Sequence, residues 1–150
     1  MPIDYRPLCG QRNEIRVIEL LPAEDEAAPL QSTLKHVKLT DANYQALSYV
    51  WGDSKDPDQL EVEYQYIDPL SAIQSTSTSL CPIGQNLASA LLHLRDKNST
   101  LRIWVDAICI NQFNNSEKSA QVAMMAEIYK TAVQVIIWLG PAADGVVIED

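Results

Sequence analysis

Hydrophobic positions along the chain follow two periods, and the switch from one to the other sets out the elements. Ile15 to Leu21 (IRVIELL), Leu34 to Leu39 (LKHVKL), Ala46 to Trp51 (ALSYVW) and Val62 to Ile67 (VEYQYI) alternate apolar with polar residues, as half-buried strands do. Leu47, Tyr49 and Trp51 share one face of the third. From Gly84 the period lengthens. Leu87, Leu91 and Leu94 recur at helical spacing, with Asn86 placed as an amino-terminal cap and Arg95 suited to the carboxyl end. Leu101 to Ile110 (LRIWVDAICI) opens as a strand and stays apolar toward a buried end, and the polar run Asn111 to Ser116 interrupts it. A helix follows, on which Ala120, Met124 and Ile128 are spaced by four. Val133 to Leu139 (VQVIIWL) is a nearly continuous apolar run stopped by Gly140-Pro141, which suits a strand buried on both faces.

The stretches between these elements are polar or unpatterned. Pro22 and the acidic AEDEAAP make an exposed, mobile loop, and Asp68 to Ser79 (DPLSAIQSTSTS) has no period, so a flexible insertion is expected there. The carboxyl-terminal ADGVVIED suits a short strand or a frayed end. A strand-rich first half followed by helix, strand, helix, strand predicts one α/β domain over residues 1–150, with its core at about 15–140. The predicted architecture is a mostly parallel central sheet with extra strands from the amino-terminal half.

Composition narrows the function classes. Apolar residues make up 47% of the 150 and charged ones 21%, the balance of a folded, water-soluble domain. A net charge of −9 with scattered basic residues argues against nucleic acid or an anionic membrane as partner. Three cysteines without metal-ligand or CxxC spacing fit a reduced compartment, and the interrupted amino terminus is no signal peptide, so a cytoplasmic protein is expected.

If ALSYVW and LRIWVD run parallel, the polar residues after them gather along one sheet edge, where open α/β sheets bind ligands. These are Gly52 and Asp53 after the first strand, then Asp106, Asn111 and Gln112, with Glu117 at the start of the following helix. Glu117 has two readings. The spacing Asn114-x-x-Glu117 is that of a capping box, in which Asn114 caps the helix and Glu117 reaches back to the cap residue's N–H; a carboxylate so placed also suits catalysis. Asp106 suits either a ligand hydroxyl or loop N–H groups. Cys109 lacks a neighbouring histidine to act as its base and reads as a buried, inert thiol. His36, near Lys35 and Lys38, reads as a solvated strand edge, and His93 as packing beside a helical stripe. The three tryptophans are expected in the core, although Trp51 beside a glycine turn could present a stacking face. Metal-ligand spacing, a phosphate-cradling glycine loop and a GxSxG elbow are absent from the sequence.

The segments YQALSYVWGD (Tyr44 to Asp53), NLASALLHLR (Asn86 to Arg95), LRIWVDAICINQ (Leu101 to Gln112), SEKSAQVAMMAEIYKTA (Ser116 to Ala132) and VIIWLG (Val135 to Gly140) resemble, in order and spacing, the motifs of the fungal heterokaryon incompatibility (HET) domain. The resemblance runs from about Ile15 to Gly140. Two departures stand out: the Asp68 to Ser79 stretch is longer than the family's usual turn, and the chain stops just after the WLG motif, where HET proteins continue into a long carboxyl-terminal region. The resemblance implies fungal self/non-self recognition, with induction of programmed cell death. The family is similar to TIR domains, doubly wound α/β modules that signal by self-assembly, some of which cleave NAD at the nicotinamide–ribose bond. That likeness implies a TIR-like, flavodoxin-like fold, Glu117 as catalytic residue, and Tyr49, Trp51, Gly52, Asp53, Asp106, Asn111 and Gln112 as substrate-binding residues. NAD would be a substrate rather than a cofactor, and the partners would be further copies of the domain or other signalling domains.

Overall fold

The fold is given by a computed structural model that describes residues 3–9, 13–41, 43–51, 56–140 and 145–149, the last of these as backbone. Its strands are β1 (Glu14–Leu20), β2 (Leu30–Lys38), β3 (Gln45–Tyr49), β4 (Asp58–Ile67), β5 (Gln74–Ile83), β6 (Leu101–Trp104), β7 (Gln134–Gly140) and β8 (Gly145–Glu149). Helices α1 (Gln85–Leu94), α2 (Asp106–Cys109) and α3 (Asn115–Thr131) accompany them, with a 3-10 turn at Leu39–Asp41. The strands form one sheet in the order β5-β4-β2-β1-β6-β3-β7-β8.

The expected mostly parallel, flavodoxin-like sheet is not what forms. Strands β6, β3 and β7 are mutually parallel, so the βαβ reading of the second half holds there, with β3 inserted between the two strands that α2 and α3 connect. Strand β2 is also parallel to β4. Antiparallel pairing joins β1 to both β2 and β6, β4 to β5, and β7 to β8, which makes the sheet mixed. The physical reason is the length of the connections. Residues 21–29 between β1 and β2 are too few for a parallel crossover, which takes about a dozen or more, and β4–β5 and β7–β8 are hairpins. Hydrophobic period reports which side chains are buried and carries no information on strand direction.

The Asp68 to Ser79 stretch is likewise corrected. Only its beginning is a turn, in which Asp68 accepts from the backbone of Leu70 and Ala72 takes a left-handed conformation. Gln74 to Ile83 then pairs with the whole of β4 in a ten-residue antiparallel register. Serine and threonine here mark an exposed strand, whose partner supplies the order that its sequence lacks.

Helix α1 packs against β2 and β4 and also against β7. Strands β4 and β7 stand five positions apart in the sheet, so α1 bridges most of its width on one face. Leu87 and Leu91 fill the core on this face with Ile18, Leu34, Leu47 and Ile103, while Trp104 on the other face packs edge-on against Tyr129 of α3. The cap expected of Asn86 falls instead on Gly84, which provides no side-chain bond. On α3 the buried face carries Gln121 and Ile128 with partly buried Met124 and Met125, while Ala120 is exposed, one residue off the expected stripe.

Candidate functional site

Parallel pairing of β3 with β6 does bring the ends of those strands to one edge of the sheet. Strand β1 runs the opposite way and begins at that same edge. Two neighbouring sites result, one sealed and one open.

The sealed site centres on Arg16, a residue that sequence patterning passes over. It lies in the middle of β1, its side chain fully excluded from solvent. All five guanidinium N–H groups have acceptors. Nη1 donates to Glu117 Oε2 at 2.8 Å and to the Cys109 carbonyl at 3.1 Å. Nη2 donates to Glu117 Oε1 at 2.7 Å and to the Arg6 carbonyl at 2.7 Å. Nε reaches the Tyr64 hydroxyl at 3.4 Å. The Tyr5 ring lies 4.8 Å from the guanidinium carbon. Burial alone would lower the Arg16 pKa, but hydrogen bonding and charge attraction from Glu117 and Tyr64 raise it, so the group stays cationic. A lone arginine inside an apolar strand segment is the signal that would have found it, because such a charge is buried only when paired.

Glu117 is therefore a committed carboxylate. Both oxygens are held in a bidentate pair by Arg16, and Oε2 also accepts from the Asn111 backbone N–H at 2.6 Å; the side chain is 11% exposed. Half of the capping box is present. Asn114 Oδ1 accepts from the Glu117 N–H at 3.0 Å, but the Glu117 side chain turns to Arg16 and Asn111 rather than back to Asn114.

A relay of hydrogen bonds extends this cluster. The Tyr64 oxygen accepts from Arg6 N–H at 3.1 Å and from Arg16, which leaves its own proton for His36 Nε2 at 2.5 Å. His36 Nδ1 then carries the ring proton and donates to Glu14 Oε1 at 2.7 Å. Burial, with the nearby Arg16 charge, lowers the His36 pKa against the pull of Glu14 and Glu117, in keeping with a neutral ring. The histidine expected on a solvated edge thus sits mid-sheet, because β2 is flanked by β1 and β4.

The open site is a cavity of about 430 Å³ beside it, lined by Tyr5, Tyr49, Trp51, Gln112 and Phe113 together with Ile3, the Cys81-Pro82-Ile83-Gly84 corner, Leu87, Ala107 and Ile108. Tyr49 and Trp51 stack with their rings 8° from parallel and centroids 6.5 Å apart. Trp51 is thereby taken out of the core; Trp104 and Trp138 are in it. Asn86 positions this wall: it donates to the Val50 carbonyl at 2.7 Å and accepts from Trp138 Nε1 at 3.0 Å, fixing the end of β3 to α1 and β7. Asp106 stands behind the wall, its carboxylate facing the Trp51 indole and the Ala107 N–H, both of which favour its charged form. Burial raises the pKa of Asp106 and of Tyr49. Gln112 donates to the Asp106 carbonyl at 2.9 Å, and the Asn111 side chain accepts from the Phe113 N–H at 3.1 Å.

Of the residues singled out in the sequence, Tyr49, Trp51 and Gln112 share the cavity, Asp106 backs it, and Asn111 and Glu117 belong to the Arg16 cluster. Gly52 and Asp53 lie outside the described residues. Tyr5, Phe113 and the Cys81–Gly84 corner were not foreseen as lining residues. Cys109 is buried, and burial pushes its thiol up to about 12. Among the described residues no cluster of three His, Cys, Asp or Glu could hold a metal ion, and no helix is long and apolar enough to cross a membrane.

Residues 44–148 match the model of the family described as heterokaryon incompatibility protein (HET), and the chain belongs to that family. It is 38% identical over 147 residues to heterokaryon incompatibility protein 6, OR allele, of Neurospora crassa, an alignment covering 94% of this chain. The chain spans only 21% of that relative's length. No solved structure matches it.

Proposed function

We propose that this HET-family domain serves fungal self/non-self recognition as a cytoplasmic, non-enzymatic signalling module, which assembles with its own kind and thereby induces programmed cell death. The observation that carries this reading is the occupancy of Glu117: Arg16 engages both carboxylate oxygens and Asn111 adds a third hydrogen bond. A carboxylate serving a ribosyl cation must approach the sugar with an oxygen free to do so. The family membership supports the incompatibility role and is neutral as to chemistry.

NAD hydrolysis is the second reading, and the cavity favours it. Its volume of about 430 Å³ falls in the usual range for small-molecule sites, and the Tyr49–Trp51 wall suits a flat ring. Against it, none of the described lining residues is a carboxylate. Hydrolysis at Glu117 would need that side chain to leave Arg16.

The two readings separate on a variant that removes the carboxylate without leaving a bare charge, Arg16→Met with Glu117→Leu. The assembly reading expects this double variant to fold and to remain toxic when expressed in fungal cells, and expects purified protein at high concentration to release no nicotinamide from NAD. Nicotinamide release by the parent chain that disappears in a folded double variant, together with its toxicity, would overturn it.

A further inference from the structure

Strand β5 closes one edge of the sheet, with β4 as its only strand partner among the described residues. Gln74 to Thr78 are exposed in unbroken succession, so this end of the strand is covered on neither face. A strand edge of this kind presents unpaired N–H and C=O groups, and soluble proteins ordinarily block it with lysines, inward charges or a bulge. Over Gln74–Ser79 none of those devices is present; Pro82, which has no N–H to donate, stands toward the other end of the strand. Between Asp68 and Arg95 the sequence has no Asp, Glu, Lys or Arg, although 21% of the chain is charged. The turn that leads into β5 adds Ile67, Leu70 and Ile73, which are 58%, 97% and 67% exposed.

We propose that β5 is the surface through which two copies of this chain associate, pairing antiparallel about a twofold axis so that one sheet runs through both; this rests on the self-assembly reading above. Charge selects the occupant. A chain of net charge −9 repels its own copy over most of its surface, and the uncharged edge is where two copies can approach without that repulsion. The strand itself carries no charge for an acidic or basic peptide to pair with, although Asp4, Arg6 and Lys35 border it from neighbouring segments, whereas β5 is complementary to itself. An axis at Thr76 sets Gln74 opposite Thr78 and Ser75 opposite Ser77 of the other copy, so short hydroxyl side chains meet across the join, and Ile73 of each copy comes alongside Ser79 of the other. Main-chain hydrogen bonds would give affinity in the manner of strand addition. An edge this short makes a small interface, so association is expected to be reversible and concentration-dependent.

The test is sedimentation of the intact chain from about 1 to about 500 μM, the parent beside Thr76→Lys and Thr76→Ser, with amide hydrogen exchange at both ends of that range. Expected are a monomer–dimer equilibrium for the parent and Thr76→Ser, a dissociation constant raised by about tenfold or more in Thr76→Lys, and slowed exchange at Gln74–Ser79 on concentration. Thr76 is exposed, and an unchanged melting curve for Thr76→Lys shows that its fold is kept. Association that Thr76→Lys leaves intact, with no slowing in β5, overturns the surface and spares self-assembly through another face. A parent chain that stays monomeric throughout overturns the self-assembly reading and this surface with it.

Discussion

The Arg16 cluster and the Trp51 cavity lie at the same edge of the sheet and share Tyr5, which lines the cavity and faces the guanidinium, yet they are built in opposite ways. In the cluster every guanidinium N–H and both Glu117 oxygens are used, and solvent is excluded. In the cavity the walls are apolar and aromatic, and its rim residues Trp51 and Phe113 are largely exposed. Position at a sheet edge is therefore a weak guide to chemistry. Whether a group still has hydrogen-bonding capacity or exposed surface to offer a ligand discriminates better, and by that measure Glu117, with both oxygens taken, belongs to the fold and the exposed ring of Trp51 to binding.

That contrast can be broken most sharply at Glu117. Glu117→Ala leaves the Arg16 cation buried without its counterion and is expected to cost about 3 kcal/mol, measured by urea unfolding, against about 1 kcal/mol for Asn114→Ala, which removes the helix cap alone. Equal losses would return Glu117 to a capping role. Next in size is Trp51→Ala, expected to cost less than about 1 kcal/mol because the side chain is mostly exposed, while abolishing whatever fluorescence response small aromatic ligands produce. A loss as large as that of Glu117→Ala would show that the wall is structural too.

The smallest effect is a slope with pH. The His36 pKa is lowered in the folded state, so below about 6.5 the unfolded chain takes up the proton first and stability falls as pH drops toward the folded value. Glu19 acts in a separate window. Burial raises its pKa, hydrogen bonds from Lys35 and Arg102 reverse this, and its contribution is lost only as pH falls below about 4.5. Melting temperatures between pH 7 and 5 should decline in the parent chain and flatten in His36→Gln; parallel curves would remove His36 as the cause.

Much of the fold was legible because burial imposes a period on side chains. The β6, β3 and β7 strands and the Leu87–Leu91 stripe of α1 are where their apolar residues placed them. Strand direction was not legible, since alternation is the same either way along a chain, and β1 reverses between β2 and β6. Nor was β5, whose Ser/Thr sequence has no apolar face and owes its order to β4. For the site, Tyr49, Trp51 and Gln112 could be gathered from strand ends, whereas Tyr5 and Arg16 arrive from 103 and 101 residues earlier in the chain than their partners Ile108 and Glu117, through contacts that no local pattern encodes.

Glu117 is committed to Arg16, and a double-mutant cycle on stability with Arg16→Met and Glu117→Leu reads that commitment directly. Each single variant is expected to lose about 3 kcal/mol and the double to lose no more than either single, a coupling of about 3 kcal/mol. Additive losses, with a coupling below about 0.5 kcal/mol, would contradict it and leave Glu117 free for other work.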